Sequence, residues 1–287
     1  MGGPDQISPA GGEDTALPAG RLFRLLWLRL ERPRPWPVGL GCFTSVFLLA
    51  CGAASLNSYQ EHRWDRLMRR TRRRPVALGI ITPEQARRQG QVLAGLGLFL
   101  LYLGTSDPAP VLVGSASLVI YNLVYTPLKY RSVWALLPGA VCGALPSYIG
   151  WLAGGGAIFS PIVIGAAALL ALWQIPHFWL VMLYNKSDYR SSSLPSLVNK
   201  VPERSLRLIS VIWFAALIVV LHTLLAFFTS MPATIRIMIS LVSLVVLLIY
   251  GLHMGAKREP PYRFLFIMLN SFMLYTMALL SVGAVVS

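Results

Sequence analysis

Charge is scarce in this chain. Asp, Glu, Lys and Arg make up 13% of its 287 residues, hydrophobic residues make up 55%, and the mean hydropathy is +0.62. So large an apolar share argues against a water-soluble globular domain. Cysteine is scarce as well: Cys42, Cys51 and Cys142 lie inside apolar segments without metal-ligand spacing, so neither a disulfide framework nor a zinc site is indicated. The composition therefore predicts an integral membrane protein.

Eight apolar segments approach the length of about 20 residues that a helix needs to cross a bilayer. They cover residues 37–57, 89–106, 109–126, 133–153, 158–183, 206–229, 233–254 and 263–287. Lys and Arg are concentrated in alternate connections, at 58–88, 127–132, 184–205 and 255–262. The positive-inside rule places these connections in the cytoplasm. We therefore attribute the net charge of +14 to residues that set the orientation of the chain in the membrane, rather than to a nucleic-acid-binding surface.

The N-terminal region conflicts with this count of spans. Residues 1–20 are predicted to be a disordered tail, and residues 21–36, with five arginines, an Arg-rich amphipathic or interfacial segment on the cytoplasmic surface. Eight spans would place these arginines outside the cell, although arginine-rich segments resist translocation across the membrane. We therefore expect either a shortened or re-entrant first span or an odd number of spans.

The most polar stretch, residues 57–75, directly follows the first apolar run. Asn57, Glu61 and Asp65 are spaced i, i+4 and i+8, so they share one face if the helix continues. Two carboxylates at this spacing repel each other and need a cation. Surrounding arginines would give a solvated ion-pair network, whereas Mg²⁺ would bind the carboxylates together with substrate phosphate. The spacing leaves both interpretations open.

The same stretch contains seven arginines. A guanidinium binds phosphate oxygens bidentately, and a diphosphate carries more charge than one Mg²⁺ neutralises. Carboxylates for a metal next to arginines for phosphate indicate a diphosphate site. Seven exceed what such a site needs, so the others are expected to fix topology or bind anionic lipid.

The pattern N-x-x-x-E-x-x-x-D-x-x-M-x-R-T-x-x-R-P resembles the first motif of UbiA-type intramembrane prenyltransferases. Its end, residues 68–75, narrows the resemblance to the protoheme IX farnesyltransferase branch. Three further stretches agree in order: YTPLK at 125–129, GALPSYIGW at 143–151, and WQIPHFW at 173–179 followed by the DY pair at 188–189. Four ordered motifs are more specific than any single one.

The resemblance implies an all-α bundle of eight to nine transmembrane helices around a central cavity, formed by residues 37–287. It implies Mg²⁺-dependent transfer of farnesyl from farnesyl diphosphate to a vinyl group of haem B. The implied ligands of Mg²⁺ are Asn57, Glu61, Asp65 and Asp188, and the implied substrate-binding residues are Arg70, Arg74, Lys129, His177 and Tyr189. The active site would lie at the cytoplasmic side of a bacterial inner membrane.

His177 stands apart because an ionisable residue within a span is a functional candidate. It would face a haem propionate, ligate the iron, or only form a hydrogen bond within the bundle. Tyr130, Ala135 and Ser147 depart from the family pattern and leave another acceptor open, such as an aromatic quinone precursor. A non-catalytic transporter is the alternative of a different class, and it predicts that Glu61 and Asp65 are dispensable.

Overall fold

The computed structural model of the protein describes residues 36–69, 71–191, 197–228 and 231–286, and these are helices joined by short connections. The predictions for residues 1–35 and for Arg70 lie outside the described residues.

The helices range in length from three to 30 residues. In chain order they are α1 (Trp36–Asp65), α2 (Pro75–Leu78), α3 (Pro83–Thr105), α4 (Pro108–Leu118), a π-helical segment (Val119–Tyr125), α5 (Thr126–Leu128), a 3₁₀ turn (Val133–Ala135), α6 (Leu136–Ala153), α7 (Pro161–Tyr184), α8 (Lys186–Ser191), α9 (Leu197–Lys200), α10 (Glu203–Phe227), α11 (Ala233–Gly255) and α12 (Tyr262–Val286).

The predicted spans are confirmed as long helices. Within the described residues, seven helices are long and apolar enough to cross a membrane. Helix α3 is the predicted span outside that set, because Gln89, Gln91 and several glycines lower its hydropathy. Large apolar side chains such as Phe43, Leu112 and Leu248 point outward and are 62–71% exposed, as expected of a lipid-facing surface. The protein is a multi-pass membrane protein.

Helix α1 extends past the end of its predicted span because residues 53–65 contain neither glycine nor proline. Asn57, Glu61 and Asp65 consequently lie on one face, and each is at most 6% exposed. The chain turns back after Asp65, whose carbonyl accepts a hydrogen bond from the Thr71 hydroxyl at 3.2 Å. This turn returns the arginine-rich segment to the face of α1 that carries the acids.

Glycines bring α1 and α3 into close contact. A Cβ on Gly52 would lie 2.7 Å from the Ala94 nitrogen and 2.9 Å from the Gly90 carbonyl oxygen. A Cβ on Gly97 would lie 2.9 Å from the carbonyl oxygen of Ser45. Gly97 lies within the Gly-rich run at residues 95–104 of α3. This backbone contact sets the position of α1 and of its acidic face.

The bundle has two packed halves with α7 between them. The largest cluster of buried apolar residues joins α7 to α10, α11 and α12, and a smaller cluster joins α1, α3 and α6. Helix α7 packs against α6, α10 and α12. Residues near the end of α7 that the sequence predicts to be cytoplasmic line a common cavity with Asn57 and Glu61 of α1.

We expect Gly52→Val to lower the free energy of unfolding by about 1–3 kcal/mol, because the added side chain meets α3 backbone that cannot move aside locally. Gly95→Val is the matched control, since nothing lies within 4 Å of a Cβ there. Thermal unfolding in detergent micelles measures the difference. Equal shifts in the two variants would contradict the close contact.

Candidate active site

A cavity of about 300 Å³ lies between α1, the π-helical segment and α7. Six of the predicted site residues line it: Asn57, Glu61, Arg74, Lys129, His177 and Tyr189. They come from four separate stretches of the chain. The sequence predicted each from its own motif, and the fold brings them to one place.

Glu61 is the centre of the polar end of this cavity. Its Oε1 accepts a hydrogen bond from Lys129 Nζ at 2.7 Å, and its Oε2 accepts one from Asn57 Nδ2 at 3.2 Å. The same Oε2 lies 3.4 Å from a guanidinium nitrogen of Arg74, which also donates to Asp65 Oδ2 at 2.8 Å. Glu61 is 1% exposed. The two carboxylates thus converge on one positively charged group.

Electrostatic attraction holds Arg74 beside the acids. Burial lowers the pKa of Arg74, but its hydrogen bond to Asp65 and the charges of Asp65 and Glu61 outweigh that effect and leave the pKa raised. Tyr130 lies beside them, stacked on Trp64 with ring centroids 5.0 Å apart. Burial and the charge of Glu61 raise the pKa of Tyr130, so its hydroxyl stays neutral.

Asn57 is held by a residue to which the sequence analysis assigned no role. The hydroxyl of Thr126 lies 3.1 Å from Asn57 Oδ1 and 2.9 Å from the Tyr121 carbonyl oxygen. Asn122, 4% exposed, donates from Nδ2 to the Ala53 carbonyl at 3.0 Å. Tyr121 and Asn122 belong to the π-helical segment, a geometry common at functional sites, and Thr126 directly follows it.

The sequence carries only one sign of this irregular turn. Pro127 lacks a backbone N–H, so a regular helical hydrogen bond cannot form there. The motif YTPLK contains this proline, yet it indicated Lys129 alone. The sequence analysis assigned no role to Tyr121, Asn122 and Thr126, because packing rather than residue type decides where a π-turn forms.

The other end of the cavity is aromatic. His177 Nδ1 lies 3.0 Å from Asn270 Oδ1, and the His177 ring contacts Trp173 and Phe266 with centroids 4.9 Å apart in each case. Trp179 lines the cavity, and its indole N–H is buried without a hydrogen-bond partner among the described residues. An unpaired buried donor costs about 1–3 kcal/mol, a cost that an oxygen atom of a bound ligand would remove.

A second cavity, of about 320 Å³, adjoins the first, and Tyr121 and Phe178 line both. Most of its other lining residues are apolar or small, including Val46, Leu49 and Cys142. An apolar cavity therefore lies directly beside the polar one.

The profile of the UbiA prenyltransferase family matches residues 19–277. The chain belongs to the UbiA prenyltransferase family. The family consists of enzymes, which removes the transporter alternative. It also confirms the resemblance seen in the four ordered motifs.

Relatives within this family carry a more specific name. The chain is 45% identical over 150 residues to a protoheme IX farnesyltransferase of Geobacter sulfurreducens, a match that covers 52% of this chain and 55% of that protein. It is 36% identical over 242 residues to a protoheme IX farnesyltransferase of Oleidesulfovibrio alaskensis, covering 84% of this chain and 83% of the relative.

The fold of this UbiA family member agrees with solved structures. A UbiA homologue from Aeropyrum pernix superimposes with a TM-score of 0.68 at 17% identity, covering 90% of this chain and 94% of that one. At this identity the likeness concerns the fold. The predicted all-α bundle around a cavity is confirmed.

The fit of the UbiA site to Mg²⁺ can be judged from its donor atoms. Among the described residues, no group of three or more His, Cys, Asp and Glu side chains forms a metal site. Two carboxylates do converge, since one Arg74 nitrogen lies within 3.4 Å of both Glu61 and Asp65. Mg²⁺ takes one or two carboxylates and completes its shell with water and phosphate. The oxygens of Asn57, Glu61 and Asp65 therefore fit part of a Mg²⁺ site.

Asp188 lies at the same end of the bundle but outside the cavity lining. Its Oδ1 is 4.0 Å from Arg69 Nε, and its side chain is 10% exposed. Tyr189, the next residue, lines the cavity. The two acidic motifs therefore share one face of the protein, while the role of Asp188 as a metal ligand stays a prediction.

A network of ion pairs anchors the helix that carries Asp188. Lys186, the first residue of α8, lies 2.5 Å from Glu259 Oε1 and 3.3 Å from Glu203 Oε2. Glu203 also accepts a hydrogen bond from the Tyr262 hydroxyl at 2.6 Å. The hydrogen bond to Glu259 in particular raises the pKa of Lys186, which keeps the ammonium charged at neutral pH. The network ties α8 to α10 and α12.

We expect Lys186→Met to increase backbone amide exchange in α8 about fivefold, because two ion pairs that hold the helix are lost together. Hydrogen–deuterium exchange followed by mass spectrometry measures this. Arg88→Met, which removes an exposed ion pair with Glu84 at 3.3 Å, is the control and should leave α8 unchanged. Unchanged exchange in both variants would show that the network does not anchor α8.

Proposed function

We propose that this protein transfers the farnesyl group of farnesyl diphosphate to a vinyl group of haem B, with Mg²⁺, to give haem O. The proposal rests on one observation above all: the buried carboxylate of Glu61 and the cations Arg74 and Lys129 line the same cavity as His177, and an apolar cavity adjoins it. The names of the two bacterial relatives indicate the acceptor.

The polar end is suited to a diphosphate. Lys129 and Arg74 are the cations that reach the cavity, and both now pair with carboxylates. A diphosphate would provide these two side chains with oxygen acceptors in place of the carboxylates. Mg²⁺ bound by Asn57, Glu61 and Asp65 would supply the positive charge that stabilises the departing diphosphate. The site would thus exchange one set of ion pairs for another.

The chemistry then proceeds on the prenyl group. Breaking the C–O bond leaves its electron pair on the diphosphate and an allylic cation on farnesyl. The vinyl π electrons of haem form the new C–C bond, and water adds to the resulting cation with loss of a proton. Tyr121 and Phe178, which lie between the two cavities, would shield the allylic cation with their π faces and keep water away.

The apolar cavity is suited to the isoprenoid tail. Its 320 Å³ and the 300 Å³ of the polar cavity both lie in the range of small-molecule sites. We place the tail between α1 and α6, and the acceptor beside the aromatic residues around His177. We propose that this end of the bundle, next to the arginine-rich connections, faces the cytoplasm at the inner membrane of a bacterium.

The test is an incubation of the purified protein in lipid nanodiscs with haem B, farnesyl diphosphate and Mg²⁺. We expect a haem whose mass has increased by one farnesyl group and one hydroxyl group. Asp65→Asn should lower kcat/KM at least about a hundredfold, because it removes a carboxylate ligand of the Mg²⁺ that stabilises the departing diphosphate. Glu84→Gln, at an exposed carboxylate paired with Arg87, is the matched control.

The outcomes separate the alternatives. Full turnover of Asp65→Asn would contradict the assignment of this acidic face. Prenylation of an aromatic quinone precursor, with haem left unchanged, would establish the alternative acceptor. Activity that survives removal of Mg²⁺ with EDTA would contradict the metal requirement.

We expect Cys142→Phe to lower kcat/KM for farnesyl diphosphate about tenfold, and to affect the shorter geranyl diphosphate less, because the larger side chain fills the apolar cavity. Val141→Phe changes the neighbouring residue, which is 44% exposed on the outer surface, and should have no such effect. Steady-state kinetics with the two diphosphates measure the ratio of their kcat/KM values. An unchanged ratio would place the tail elsewhere.

A further inference from the structure

We propose that Arg236, His222 and Ser240 form a binding site for the phosphoglycerol headgroup of an anionic phospholipid. The site lies in a cleft between α10 and α11, on the side of the bundle opposite the candidate active site. None of its residues lines the two cavities described above, so the inference is independent of the proposed function.

The position of Arg236 in the chain is unusual. Every other Lys and Arg after residue 36 lies within one of the four connections predicted to be cytoplasmic, or within two residues of one. Arg236 lies in the first turn of α11, at the end that faces away from these connections. An ionisable residue inside a membrane-spanning helix is costly and indicates a function.

Helix α10 shows how far this end is from the candidate active site. It begins at Glu203, which pairs with Lys186 of the helix that carries Asp188. His222 follows about 28 Å further along the axis of α10, at about 1.5 Å per residue. That distance is close to the thickness of the hydrocarbon core, about 30 Å. The cleft therefore lies near the opposite membrane surface.

Arg236 has no acid to pair with on the helices around it. Helix α11 packs against α10 and α12. Neither Asp nor Glu occurs between Glu203 and Glu259, or after Glu259. Within the described part of the chain, Nε of Arg236 is buried and has no hydrogen-bond partner. Burying an unpaired donor of a charged group is costly, and an external anion would supply the missing acceptor.

The cleft is suited to an amphiphile. Its volume is about 380 Å³, and His222, Arg236 and Ser240 form its polar part. The rest of the lining is apolar and includes Ile237 and Leu241, which are 56% and 60% exposed on the lipid-facing surface. A molecule in this cleft would place a polar head at Arg236 and an acyl chain along α11. A phospholipid of the surrounding leaflet has this shape and lies at this depth.

The charge of the cleft favours a headgroup that is negative overall. A guanidinium binds two phosphate oxygens at once. Among the described residues, no Asp or Glu lines the cleft, so the ammonium of a zwitterionic headgroup would find no partner there. The lipid is therefore an anionic phosphodiester.

His222 indicates a headgroup that carries a hydroxyl group. Its Nδ1 lies 2.8 Å from the carbonyl oxygen of Ile218, which only accepts, so Nδ1 donates. The neutral ring then has a lone pair on Nε2, and this nitrogen has no hydrogen-bond partner among the described residues. A glycerol hydroxyl would donate to Nε2 while its phosphate binds Arg236. Ser240 can donate to a phosphate oxygen or accept from the second hydroxyl.

The first experiment locates the lipid. The full-length protein is irradiated in detergent micelles that contain phosphatidylglycerol with a photoreactive group on its headgroup, and mass spectrometry identifies the labelled residues. We expect label in residues 222–226 and 233–241, in addition to any at the arginine-rich connections. A parent without label in these two segments would overturn the inference.

The second experiment measures specificity from the loss of this label when unlabelled lipid competes. Phosphatidylglycerol should compete about fivefold more effectively than phosphatidylcholine, whose phosphate is balanced by an ammonium group. Phosphatidylmethanol has the charge of phosphatidylglycerol but no hydroxyl group, so it should be intermediate. Equal competition by phosphatidylcholine would overturn the inference, and equal competition by phosphatidylmethanol would remove His222 from the site.

Substitutions assign the residues. Arg236→Gln should lower the yield of label in the cleft about fivefold, because the phosphate loses its charged partner. Arg258→Gln, at an exposed arginine just beyond the other end of α11, is the matched control and should leave the yield unchanged. His222→Phe keeps an aromatic ring without Nε2, so phosphatidylglycerol and phosphatidylmethanol should then compete equally. Size-exclusion profiles identify any variant that is not folded, and for such a variant the competition series of the parent decides the question.

Two further competitors separate the sources of the anion. Glycerophosphoglycerol, the headgroup without its acyl chains, should compete at least about a hundredfold more weakly than the lipid. Competition at equal concentration would identify a site for a free phosphate. Haem B carries carboxylates, and loss of the label at a lower concentration of haem than of phosphatidylglycerol would identify a haem site. Either result, or an equal yield of label in Arg236→Gln and the parent, would overturn the inference.

Discussion

The buried carboxylate of Glu61 is the constraint on which the rest of the site depends. A carboxylate with 1% exposure is costly to bury unless it is paired and hydrogen-bonded. Lys129, Arg74 and Asn57 supply its partners, and they come from the end of α5, the turn after α1, and α1 itself. Satisfying one carboxylate therefore joins three separate parts of the chain at one end of the cavity.

The same pairing prepares the site for an anionic substrate. Buried ion pairs contribute little net stability, since desolvation offsets much of their attraction. Exchanging the carboxylates for phosphate oxygens would therefore cost the fold little, provided that a metal ion then balances the acids. The close contact of α1 with α3 through Gly52 and Gly97 supports this exchange, because it keeps the acidic face in place while its partners change.

The residue types at the polar end of the cavity could be predicted well from the sequence. Which cation pairs with which carboxylate could not be predicted. The spacing of Asn57, Glu61 and Asp65 predicted one helix face because helical periodicity is a local property. The nearest arginines in sequence are not their partners: Arg66 donates to the Ala77 carbonyl at 3.1 Å. The ammonium group that pairs with Glu61 belongs to Lys129, 68 residues away in the sequence. No local pattern specifies such a pair.

The sequence by itself determined the membrane-spanning helices, the acidic face and the family motifs, because these depend on hydropathy, helical spacing and residue order within short stretches. Only the tertiary structure decided which cations bind Glu61, that residues 119–125 form a π-turn followed by Thr126, which contacts Asn57, and that Asn270 lies at hydrogen-bond distance from His177. Each of these depends on atoms from distant segments meeting at hydrogen-bond distance, and that follows from the packing of the helices.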